Sequence, residues 1–233
     1  MSTERHIVAM GGGGFSQEED NTLLDDFVLS LTGRDRPRVC FLPTASGDAE
    51  GYIERFRLAF PPDRAVASVF PLFSNPGVPD WRAFLLGQDV LYVGGGSTVN
   101  LLAVWRVHRI DRFVREAWEE GIVLAGISAG MNCWFESCVT DSLVGEASAL
   151  PDGLGFLPGS ACPHFDSEDQ RRPVYTELVA SGILPPGVAA DDGAALHYVG
   201  TELREAVASR PTAGAYRIEA GGEEVPIPVR CLA

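Results

Sequence analysis

Short apolar runs alternate along the chain with longer amphipathic stretches, and glycine-rich turns close several of the runs. Residues 6–10 read as a strand feeding the four glycines at 11–14, with a helix to follow over 21–32. Further strands are predicted at 38–42, 65–71 and 89–93, the last running straight into Gly94, Gly95, Gly96, Ser97 and Thr98. Between them Tyr52, Phe56 and Phe60 recur at i, i+4 and i+8, which puts all three on one helical face. Helical patterning resumes over 99–108 and 109–120, the second as a new helix or a continuation, and a short buried strand is predicted at 122–125. Strands alternating with helices call for a parallel sheet covered on both faces.

The pattern changes after residue 165. A helix is predicted over 167–181, then short runs at 187–190, 194–199, 203–208, 215–219 and 225–229, separated by turn signals. These read as antiparallel strands finishing one side of the sheet. With no repeat and no linker, the expectation is a single α/β domain over residues 1–233. Its sheet is mainly parallel with helices on both faces, and short antiparallel strands lie in the C-terminal part.

Composition narrows the function classes. Of 233 residues, 45% are hydrophobic and 21% charged, a globular balance rather than a disordered one. Lys and Arg total 18 against 32 Asp and Glu, so the net charge is −14. That excess of acid argues against nucleic acid or an anionic membrane as a partner. No stretch approaches the roughly 18–20 apolar residues of a membrane span, and the N-terminus lacks the features of a signal peptide. The five cysteines (Cys40, Cys133, Cys138, Cys162, Cys231) are odd in number and show no C-x-x-C pair. A reduced, cytoplasmic chain with mostly buried thiols is expected. A zinc set of Cys133, Cys138, Cys162 and His164 lacks the paired spacing of such sites, so no metal or organic cofactor is expected.

The chemistry concentrates at Gly126-Ile127-Ser128-Ala129-Gly130, a G-x-S-x-G directly after the strand predicted at 122–125. A serine on a sharp strand-to-helix turn projects its hydroxyl above the sheet edge, and small residues at 126 and 130 let that turn close. The Ala129 amide, opening the next helix, then points where an oxyanion would form. Ser128 is the candidate nucleophile; a plain tight turn is the alternative.

A serine nucleophile needs a base, and the chain has four histidines. His6 precedes a strand, His108 ends a helix and His197 lies within an apolar run. His164, in Cys162-Pro163-His164-Phe165-Asp166, falls where a short run gives way to a loop, at the sheet edge where clefts form. The orienting carboxylate falls to Asp192, with Asp191 holding the turn; Asp166, Glu168 and Asp141 are further candidates. Gly95 and Gly96 would supply unhindered amides to an oxyanion hole, unless the loop merely needs positive φ. Neither glycine loop completes a dinucleotide or P-loop motif. The order serine, histidine, acid also differs from that of α/β-hydrolases.

Together, residues 93–98, 126–131, 163–165 and 191–196 resemble the S51 serine peptidases, which include peptidase E (aspartyl dipeptidase) and cyanophycinase. The resemblance runs from the first strand to about Tyr216. It implies a class I glutamine amidotransferase-like fold with serine in place of cysteine. It also implies Ser128 as nucleophile, His164 as base, Asp192 as acid, and amides of Gly95 or Gly96 with Ala129 as the oxyanion hole. Two departures stand out: Asp192 sits where peptidase E has glutamate, and Ser97 where the glycine motif often has asparagine. The resemblance implies a short-peptide substrate with N-terminal Asp. Ser97 and an arginine downstream of the histidine, Arg171 or Arg172, would then contact it, since the planar fork of arginine binds both carboxylate oxygens. A homodimer is implied by the resemblance alone. The alternatives are a solvated helix face for the two arginines, a cyanophycin or isoaspartyl-bond hydrolase, a glutaminase using Cys133, and a non-catalytic binding protein on the same fold.

Overall fold

A computed structural model describes residues 4–143 and 145–233. Its strands are β1 (His6–Met10), β2 (Arg38–Leu42), β3 (Val66–Val69), β4 (Val90–Val93), β5 (Val123–Ile127), β6 (Phe135–Thr140) and β7 (Ser148–Leu150), followed by β8 (Leu157–Cys162), β9 (Gly187–Ala190), β10 (Ala194–Val199), β11 (Glu202–Ala208), β12 (Ala215–Ile218), β13 (Glu224–Ile227) and β14 (Val229–Cys231). The helices are α1 (Leu23–Ser30), α2 (Glu50–Ala59), α3 (Trp81–Leu86), α4 (Thr98–His108), α5 (Ile110–Glu119), α6 (Ala129–Asn132) and α7 (Arg171–Ala180).

The larger sheet runs β14-β11-β10-β1-β5-β4-β2-β3. The five strands from β1 to β3 are parallel, and β10 and β11 add antiparallel to one side. Alternation along each central strand divides the sheet between two cores. Ile7 and Ala9 face one cluster with Leu42, Leu91, Leu124 and Trp105. Val8 and Met10 face another with Phe41, Tyr92, Leu24 and Phe56. The helical face of Tyr52 and Phe56 closes on the second cluster, where the Phe41 and Phe56 rings stack at 4.9 Å.

The C-terminal strands do not all finish this sheet. A second sheet, ordered β13-β12-β9-β8-β6-β7, takes 187–190, 215–218 and 224–227 and combines them with three strands from the middle of the chain. Only β10, β11 and β14 join the larger sheet, β10 and β11 in antiparallel pairings and β14 parallel to β11. The predicted helix at 167–181 begins later, at Arg171, and the pair over 99–120 is broken by Arg109 at φ 63°. Cys40, Cys133, Cys138 and Cys162 are buried free thiols and Cys231 is exposed. Among the described residues no helix is long and apolar enough to cross a membrane, and no cluster of metal-ligating side chains occurs.

Candidate active site

Strand β1 is the hinge of the arrangement. Its last residue, Met10, accepts the Ser128 amide through its carbonyl at 3.0 Å. Two residues on, Gly12 pairs with Asp192 in an isolated bridge and accepts the Gly193 amide at 3.1 Å. The ends of β5 and β9 therefore meet at the carboxyl end of one central strand, where α/β sheets form their clefts.

Ser128 sits at φ 56°, ψ −108°, a conformation that costs free energy in any residue with a side chain. Its flanking glycines are needed for close approach. A Cβ on Gly126 would come within 2.2 Å of the Gly130 carbonyl oxygen, and one on Gly130 within 2.4 Å of that of Val93. The Ala129 amide opens α6 and so has no acceptor within the helix. Among the described residues, the Ser128 hydroxyl makes no hydrogen bond to His164. Such contacts commonly tighten only when substrate binds.

His164 is mostly buried, at φ 54°, with its Nδ1 2.6 Å from Asp192 Oδ1. Burial pushes the Asp192 carboxyl upward, but the hydrogen bond and charge of His164 outweigh it and hold the group below the usual carboxylate range. An ionised Asp192 accepts, so in the neutral imidazole Nδ1 carries the proton and Nε2 is left as the acceptor. Asp191 Oδ2 accepts the Gly214 amide at 2.7 Å, which ties the loop after β9 to the segment before β12. Asp166 accepts the Asp192 amide at 2.8 Å rather than contacting the imidazole. The other histidines lie elsewhere, His6 against His197 at 3.0 Å and His108 beside Trp81. Cys133 is fully buried, with its thiol pushed well up by desolvation.

The loop after β4 splits its duties. The Gly95 amide donates to the Tyr52 hydroxyl at 3.1 Å, so it is not free for an oxyanion, contrary to the expectation that Gly95 and Gly96 both present amides. Gly95 instead lies against Ser128, where a Cβ would meet Ser128 Cβ at 3.4 Å. Gly96, at φ 132°, has no acceptor for its amide among the described residues, and a Cβ there would strike the Ala45 carbonyl oxygen at 2.3 Å.

A cleft of about 400 Å³ opens over Ser128 and is lined by Ser97, Thr98, Asn132, Asp141, Glu168 and Arg171 among others. Ser97 lies on its wall, with its hydroxyl capping α4 through the Asn100 amide at 3.2 Å. Arg171 is buried, donating from Nε to Glu168 at 2.5 Å and from Nη1 to the Val139 carbonyl at 3.0 Å, with Nη2 3.4 Å from Asp141. Arg172 does not reach the cleft. It pairs with Glu224 and lies over the Phe165 and Tyr216 rings.

Sequence reasoning singled out neither Asn132 nor Thr98 here. Asn132 follows Ser128 by four residues, one helical turn, and its Oδ1 is buried without a hydrogen bond. That i, i+4 spacing was the available signal.

The model of the family described as "Peptidase family S51" matches residues 7–206. A Bacillus subtilis (strain 168) protein described as an uncharacterized peptidase, YgaJ, is 50% identical over 231 residues, covering 98% of this chain and 99% of its own. Peptidase E of Pasteurella multocida (strain Pm70) is 27% identical over 191 residues, 78% of each chain. The crystal structure of a peptidase from an acI-B1 Actinobacterium superposes with a TM-score of 0.72 at 18% identity, covering 98% of this chain and 96% of that one.

Proposed function

The chain belongs to peptidase family S51, and from that premise we propose that it is a serine-type exopeptidase of the peptidase E kind, hydrolysing short peptides with N-terminal Asp. One observation carries the reading: a serine held in a strained turn and a histidine bonded to a buried-side carboxylate converge on the carboxyl end of β1.

In this reading Ser128 Oγ attacks the scissile carbonyl carbon while His164 Nε2 takes its proton. Asp192 fixes the imidazole tautomer and stabilises the imidazolium. The amides of Gly96 and Ala129 receive the developing oxyanion, with Gly95 shaping the wall beside the nucleophile. The imidazolium then protonates the leaving amine, giving an acyl-enzyme on Ser128. Water, activated by the same imidazole, attacks the ester and frees Ser128.

Arg171 supports recognition of a substrate carboxylate from within the cleft, with Ser97 on the same wall. Glu168 and Asp141 already hold its guanidinium, so an Asp side chain would compete with them or share the fork. The test is a panel of dipeptides, Asp-Xaa beside Ala-Xaa and Lys-Xaa, with Ser128→Ala as control. Release of Xaa from Asp-Xaa above the others, abolished in the variant, supports the reading. No cleavage of any member sinks it.

A further inference from the structure

Asp192 is held by more than its contact with His164. Its amide donates to Asp166 Oδ1 at 2.8 Å, while its carbonyl oxygen accepts from Arg210 Nε at 3.0 Å and from Nη2 at 2.5 Å. Arg210 Nη2 lies 3.6 Å from Asp166 Oδ2, which closes the ring. Both polar backbone groups of one residue are thus clamped by two side chains that are themselves paired.

We propose that Asp166 and Arg210 are positioning residues that brace the backbone of Asp192 so that its carboxylate stays on His164. The inference rests on the Ser128–His164–Asp192 reading above. Asp166 follows His164 by two residues, so one short segment carries both the base and the group that anchors the base's partner. Gly193 makes room for the arginine: a Cβ there would sit 2.9 Å from Arg210 Nε. On the other side Gly12 leaves space for the carboxylate, since a Cβ on it would come within 2.0 Å of Asp192 Oδ1. The side chains of Arg210 and Asp166 are 43% and 38% exposed. An ion pair that open to water adds little to global stability. Its consequence is local, in fixing where the Asp192 carboxylate can reach.

The test uses the full chain carrying Arg210→Ala, Arg210→Lys or Asp166→Ala. The readouts are the rate of fluorophosphonate labelling at Ser128, the thermal midpoint, and a crystal structure of Arg210→Ala. Labelling by Arg210→Ala and Asp166→Ala is expected to fall about 10-fold or more, because small misplacements of a reacting group are costly. The thermal midpoint should hardly move, and Arg210→Lys should recover much of the rate. Rescue by Arg210→Lys but not by Arg210→Ala ties the rate to the donor on the Asp192 carbonyl rather than to bulk alone. An unchanged rate overturns the brace. So does a crystal structure of Arg210→Ala in which His164 and Asp192 keep their contact. If the unmodified protein is not labelled, the nucleophile reading fails separately and the crystallographic distance alone decides the brace.

Discussion

His164 Nδ1 lies 2.6 Å from Asp192 Oδ1. In the proposed triad this contact leaves Nε2 as the ring nitrogen available to Ser128. With Asp192 ionised, Nδ1 must donate and Nε2 is left to accept a proton. Replacing Asp192 by Asn offers an amide N–H in place of one acceptor, which favours the wrong tautomer. Asp192→Asn should reduce hydrolysis and fluorophosphonate labelling about 10³- to 10⁴-fold with the fold intact. Labelling rates with a parallel thermal melt check this; near-normal labelling would mean that the carboxylate does not orient the base.

The turn that carries Ser128 depends on glycine at 130. The Cβ of Gly130→Ala would meet a backbone oxygen of β4, not a movable side chain. Overpacking against main chain of this kind costs about 1–3 kcal/mol or more. Urea unfolding should show a loss in that range together with lost labelling, and a variant of unchanged stability would contradict the packing argument.

Arg171 and Arg172 are adjacent, yet only Arg171 faces the cleft. Arg171→Gln should lower the preference for Asp-Xaa over Ala-Xaa, measured as a ratio of kcat/KM, by about 10- to 100-fold. That range corresponds to losing a charged hydrogen bond. Arg172→Gln should leave the ratio unchanged. A shift with Arg172 and none with Arg171 would reverse the assignment.

Part of this candidate site was legible in the chain. The motif at 126–130 follows an apolar run, and His164 and Asp192, which the structure brings into contact, each fall where a run meets a turn. The choice between Arg171 and Arg172 was not legible, because helix α7 begins at Arg171 itself and its phase is set by packing. The Tyr52 hydroxyl that occupies the Gly95 amide comes from 43 residues away, beyond any local pattern. The second sheet was missed for a similar reason. Its strands β6, β7 and β8 (FESCVT, SAL, LPGSAC) are short and mixed in polarity, and long-range pairing decides their partners.

Asp25 offers a test of the scaffold away from the chemistry. It is almost fully buried and accepts from the Tyr92 hydroxyl at 2.8 Å; desolvation raises its carboxyl to about 6. A pKa raised on folding favours the folded state only while the group is protonated. The stabilisation is therefore complete below an unfolded value of about 4 and lost as pH rises through about 6. The swing is of order 2–3 kcal/mol. Asp25→Asn keeps an acceptor for Tyr92 and should flatten this part of the stability–pH curve. A curve of unchanged slope between those limits would show that another group is responsible.

The central claim is that Ser128 is an activated nucleophile. Incubating the purified protein with a fluorophosphonate probe, digesting it and mapping the adduct by mass spectrometry tests this most directly. The account predicts an adduct on Ser128 in the unmodified protein, and none in Ser128→Ala or His164→Ala. Labelling at another residue, or labelling of Ser128 that persists in His164→Ala, would contradict it.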